Sequence, residues 1–184
     1  PSNCGRHDQR AIETRADVLV FTTAPLSQPL TVAGAAKATL VVRSDATATD
    51  FVVRLCHVHA GSGRSENIAE GIRRVHHLKG EEKIAGVRED DNAPCFYRLE
   101  VFLSPILNRI HAGDSLRMQV TSCAFPTRGR HLNTSHAPFH LALEEHARKA
   151  RQELLIHSAR EEGSGMCGVA LASKLSVPVV VDCS

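Results

Sequence analysis

Leu116, Met118 and Val120 alternate with Arg117, Gln119 and Thr121, a period of two that suits a strand and no helix, because successive strand side chains point to opposite faces. The same period recurs upstream. Tyr97, Leu99, Val101 and Leu103 oppose Arg98, Glu100 and Phe102. Over residues 51–58, Phe51, Val53, Leu55 and His57 oppose Val52, Arg54, Cys56 and Val58, two half-apolar faces that predict a strand covered in part on both sides. Residues 17–22 (DVLVFT) and 38–43 (ATLVVR) are β-branched runs bounded by Pro25, Pro29, Gly34 and the Ser44-Asp45 turn signal. Short stretches at 153–157 and 177–181 complete the set. One segment has helical spacing: after Pro138, the residues Phe139, Ala142, Leu143, His146, Ala147 and Ala150 fall on one face, with Glu144 and Glu145 four residues ahead of Arg148 and Lys149. Seven strands and one short helix predict an all-β chain, an antiparallel two-sheet sandwich or jelly roll. Leu40, Val42, Val53, Leu55, Leu99, Val101, Leu116, Met118 and Val120 are the expected core.

With 184 residues, 42% apolar and 23% charged, the chain reads as a single domain over residues 1–184 with enough apolar side chains for a real core. A net charge of +2 offers no basis for nucleic acid or a polybasic membrane surface. No apolar run nears the roughly 20 residues of a membrane helix, and residues 1–7 lack a signal-peptide core, so the reading is a soluble, cytoplasmic protein. The first residue is proline, which reads as a processed chain or a piece of something longer. Six cysteines are scattered without a CxxC, favouring reduced and partly buried thiols over one or two disulfides of a secreted setting. Asn133-Thr134-Ser135 is a glycosylation sequon, silent outside the secretory pathway.

No motif for catalysis emerges. Residues 163–168 (GSGMCG) fit GxGxxG, but Arg160-Glu161-Glu162 stand where a hydrophobic strand is needed and no acidic partner follows at the required distance, so a surface loop is expected and no cofactor. No GxSxG is present; Gly61-Ser62-Gly63 and Gly163-Ser164-Gly165 lack the strand-turn-helix setting of a nucleophile elbow. His57 with His59, and His136 with His140, have ligand-like spacing but no identifiable third ligand, and His76-His77 beside Lys79 reads as an exposed loop, so no metal is expected.

A set of longer motifs is more specific. Thr49-Asp50-Phe51, residues 58–73 (VHAGSGRSENIAEGIR), residues 113–118 (GDSLRM), and Ser122-Cys123-Ala124-Phe125-Pro126 followed by Asn133-Thr134 occur in an order and spacing that resembles the C-terminal β-sandwich of the Xaa-Pro dipeptidyl-peptidase and cocaine-esterase-like (CocE/NonD) serine hydrolases. Residues 15–22 with Pro25-Leu26 are similar to that domain's first strand, and residues 152–157 and 173–180 to its closing strands, so the resemblance spans residues 10–181. Ser62, Ala124, Arg128 and Ser135 depart from the family pattern, and residues 161–172 look like an insertion.

The resemblance implies a jelly-roll-like, galactose-binding-like sandwich that is catalytically silent alone. In that family an α/β-hydrolase domain carries the serine, aspartate and histidine; the sandwich packs on it and borders the substrate cleft. The implied partner is such a catalytic domain, in cis or missing from this chain, with a homo-oligomer of the parent enzyme left open. Phe125, Pro126, Arg128, Arg130 and Asn133 are the expected contacts with it, since they mix an apolar anchor with polar groups directly after a strand; the other reading of this segment is a solvated crossover loop between the sheets. The alternative is a free-standing module binding carbohydrate or protein on a sandwich face.

Overall fold

The computed structural model describes residues 5–76, 82–83, 95–134, 147–156 and 173–180. One four-residue helix, α1 (Arg10–Glu13), precedes ten strands: β1 (Leu19–Thr22), β2 (Leu30–Ser44), β3 (Ala48–Val58), β4 (Ser65–His76), β5 (Glu82–Lys83), β6 (Tyr97–Ile110), β7 (Ser115–Thr121), β8 (Gln152–Leu154), β9 (Lys174–Ser176) and β10 (Val179–Val180). They form two antiparallel sheets. The first runs β1-β7-β3-β4; the second runs β10-β2-β6-β5, with β8 and β9 lying beside β10 along the same edge of β2.

Between the sheets, Leu40 and Val42 of β2 and Leu99 and Val101 of β6 meet Val53 and Leu55 of β3 and Leu116 and Val120 of β7, all buried. Each such side chain contributes about 1.5–3 kcal/mol on leaving water. Met118 is only half-buried: with Phe21, Leu175 and Val177 it lines the open flank of the sandwich.

β3 is buried on both faces up to its last residue, as its two half-apolar faces predict. Phe51, Val53 and Leu55 point into the core, while the opposite face is roofed by the N-terminal segment. There Glu13 accepts hydrogen bonds from Ser65 Oγ (2.6 Å), Arg117 Nη1 (2.6 Å) and Gln119 Nε2 (2.8 Å), which satisfies polar groups that the roof removes from water. Cys56 lies under this roof as a free thiol, its pKa pushed up to about 12, chiefly by burial.

Three expectations need correction. Gly34 does not bound a strand; β2 begins at Leu30, and Gly34, at φ 119°, lies inside it beside a bulge between Ala35 and Lys37. β4 is a strand the period of two does not reveal, and His76 ends it, exposed, instead of lying in a loop; His77 lies outside the described residues. The helix expected after Pro138 is absent at residues 147–150, while residues 135–146 lie outside the described residues. Arg148 N–H donates to Leu132 O, and its carbonyl accepts from Asn133 Nδ2, so neighbouring chain takes the groups a helix would use.

Candidate domain interface

β7 delivers the chain rigidly to residue 121, and a tight turn follows. Ala124 is buried, and its carbonyl accepts both Arg128 N–H (3.0 Å) and Thr127 Oγ1 (2.6 Å). The turn pushes Phe125 outward to 69% exposure on a cis Phe125-Pro126 bond. Pro126, Arg128 and Arg130 are exposed beside it, and neither arginine has an ion-pair partner among the described residues. A large apolar ring is therefore held in water by a tied loop, with free guanidinium groups at its rim.

Asn133 is tied into the fold. It is half-buried at φ 57°, where its Oδ1 accepts from Thr49 Oγ1 (2.8 Å) and its Nδ2 donates to Arg148 O (3.0 Å). Both ends of its amide are thus engaged inside the fold, which makes it the anchor of the exposed segment.

Beside Phe125 lies a groove of about 410 Å³ whose walls include Arg15, Asp17, Arg130, His131 and Arg148. Arg15 is neutralised by Asp17 through two hydrogen bonds of 2.8 and 2.6 Å. His131 Nδ1 accepts the Asn133 N–H (2.9 Å), and burial, with Arg74 and His76 acting the same way against Asp50, pulls the His131 pKa below its ordinary value. His131 lies within the 125–133 segment that the sequence marks as a contact with the partner, whereas Arg15 reaches the groove only through the tertiary fold.

At the opposite strand ends a second cluster forms. His57 Nε2 and Asp114 Oδ2 are 2.7 Å apart, and the His59 ring stacks on that of His57 with centroids 4.1 Å apart. The pair lacking a third group in the sequence gains one here from a residue more than fifty positions on. Among the described residues the side chain of His57 bonds to Asp114 alone. Ser62 sits on an exposed turn; Ser164, His136 and His140 lie outside the described residues.

The family described as X-Pro dipeptidyl-peptidase C-terminal non-catalytic domain matches residues 3–161. The chain belongs to that family. Cocaine esterase of Rhodococcus sp. (strain MB1 Bresler) is 30% identical over 141 residues, covering 77% of this chain and 24% of the esterase. An α-amino acid ester hydrolase has the same fold at TM-score 0.70 and 24% identity, covering 95% of this chain and 27% of that one. An aminopeptidase of a Thaumarchaeota archaeon aligns at TM-score 0.72 and 23% identity over 95% of this chain and 27% of its own. This PepX C-terminal sandwich thus spans about a quarter of the length of these relatives. No described helix is long and apolar enough to cross a membrane.

Proposed function

We propose that this sandwich is the accessory domain of a serine hydrolase that cleaves after Xaa-Pro units or hydrolyses related esters and amides, and that it packs on a catalytic domain lying outside these residues. The observation that carries the reading is Phe125, which stands exposed on a loop pinned at Ala124 and Asn133. A solvated loop has no need of such anchoring. Phe125 is the buried anchor of the joint, Pro126 restricts the loop, and Arg128 and Arg130 meet carboxylates or carbonyls across it, an arrangement suited to a partly polar domain interface of about 1,000 Å². Family membership supports the division of labour, as do relatives named for ester and peptide hydrolysis that are more than three times as long. The groove beside Phe125 then borders the substrate cleft, with Asn133 setting the loop instead of touching the partner. Free thiols at Cys56 and Cys123 support a reducing, cytoplasmic setting.

The chain by itself should hydrolyse neither Xaa-Pro anilides nor aryl esters. Turnover that a serine-directed fluorophosphonate abolishes would overturn the reading and send attention to Ser62 or Ser164.

A further inference from the structure

We propose that His57, His59 and Asp114 form a binding site for one borderline divalent transition-metal ion, Zn²⁺ or its analogue Co²⁺, which clasps the β3–β4 hairpin to the turn before β7. The inference is independent of the hydrolase reading, since it rests on a different end of the sandwich.

The residues converge because of where strands end. His57 is the penultimate residue of β3 and is held between β4 and β7, where it pairs with Glu66 and Leu116. His59 follows two positions on and keeps its ring on the same side. Asp114 comes from the turn 111–114, whose Gly113 adopts φ 87°, a conformation that favours glycine. One ligand atom from each of the three lies within 4.8 Å of the others.

The donor set favours this class of ion. Two imidazoles and a carboxylate suit Zn²⁺, Co²⁺ or Ni²⁺, whereas Mg²⁺ and Ca²⁺ want oxygen ligands. Only a small movement is required. At ordinary Zn–N and Zn–O lengths, nitrogen and oxygen on one tetrahedral ion stand about 3.3 Å apart, against 2.7 Å between His57 Nε2 and Asp114 Oδ2. The proton between those atoms moves to Nδ1 of a neutral ring, or leaves to solvent from an imidazolium.

The surroundings are already arranged for the task. Asp114 Oδ1 accepts Ala60 N–H at 2.9 Å, which fixes the carboxylate and leaves Oδ2 to face the histidines. Glu66 Oε2 lies 3.4 Å from His59 Nε2, an outer carboxylate of the kind that orients metal-bound histidines. The nearby cation Arg64 is drawn off by Glu66 Oε1 at 3.0 Å. His57 and Asp114 are nearly closed off, with side chains 5% and 11% exposed, while His59 at 35% leaves an entry and room for a solvent molecule as fourth ligand.

The test uses the 184-residue chain after chelator treatment, titrated with CoCl₂ and with ZnCl₂ and followed by calorimetry, Co²⁺ visible absorption and thermal unfolding. One equivalent should bind with a tetrahedral N/O spectrum and raise Tm. His59→Gln and Asp114→Asn should each weaken binding by about ten-fold or more and abolish the Tm rise, and Glu66→Gln should weaken it by about ten-fold. Should Asp114→Asn fail to fold, His59→Gln carries the test, because His59 is the most exposed ligand and makes no buried bond. Absence of binding by the wild-type chain overturns the proposal, and so does binding that His59→Gln leaves unchanged.

Discussion

Thr49 Oγ1 donates a 2.8 Å hydrogen bond to Asn133 Oδ1, linking a fully buried residue of a central strand to the far end of the exposed Phe125 loop. The Thr49 hydroxyl also accepts from Gln152 Nε2, so one oxygen joins three chain segments. Thr49→Val keeps the shape and removes the hydroxyl, leaving two amides without their partner at a cost of about 1–3 kcal/mol. Asn133→Ala adds backbone strain to the lost bonds because of the positive φ, whereas Asn133→Gly does not. The alanine variant should therefore be less stable than the glycine variant by about 1–2 kcal/mol. Urea unfolding checks both, and equal midpoints for alanine and glycine would contradict the anchor role.

Much of the sandwich is visible in the amino-acid order because β3, β6 and β7 each bury one face against the other sheet, which forces alternation at Val53, Leu55, Leu99, Val101, Leu116 and Val120. β4 escapes for two physical reasons. A register shift between Leu55 and Cys56 resets its parity, and its inward positions Ala69 and Gly71 are small where β6 runs close by, which leaves Val75 alone among them as a large apolar marker of the face. The anchored loop shows in sequence as Phe125-Pro126 after a clean strand. Asn133 is marked there as a candidate contact, while its bonds to Thr49 and Arg148 arise only in the tertiary fold. Asp114 is likewise invisible as a partner of His57, because the pairing arises from strand register alone.

Gly71 gives a steric prediction. A Cβ there would stand 2.9 Å from the Phe102 carbonyl carbon, closer still to its oxygen, and 3.1 Å from Leu103 Cα. All three are backbone atoms and cannot swing aside. Alanine ordinarily gains about 0.5–1 kcal/mol over glycine within a strand, but overpacking of this kind costs about 1–3 kcal/mol, so the clash wins. Gly71→Ala should lower the urea midpoint, and an unchanged or higher midpoint would mean that β4 and β6 stand further apart.

His131 makes the loop anchor sensitive to acid. Its Nδ1 accepts the Asn133 N–H, which requires an unprotonated nitrogen, and burial holds the folded-state pKa below 6.5 with help from Arg74 and His76 against Asp50. An unfolded or detached loop therefore binds the proton more readily than the folded one. The stabilising contribution is complete above the unfolded value near 6.5 and is lost as pH falls through it towards the lower folded value. Amide hydrogen exchange at residues 131–134 should quicken, after correction for intrinsic rates, from pH 7 to pH 5. In His131→Gln the corrected rates should stay flat; a matching acid rise in that variant would place the titrating group elsewhere.

The most direct test of the accessory-domain account is the full-length protein from the natural reading frame carrying Phe125→Ala with Arg128→Ala, compared with wild type for hydrolytic activity and for association of its domains after limited proteolysis. Both side chains are exposed in the sandwich, so its own melting should not change. The account predicts that the cleaved domains separate and that hydrolysis falls while the sandwich stays folded. Full activity together with undiminished association would contradict it, as would a reading frame that encodes no catalytic domain.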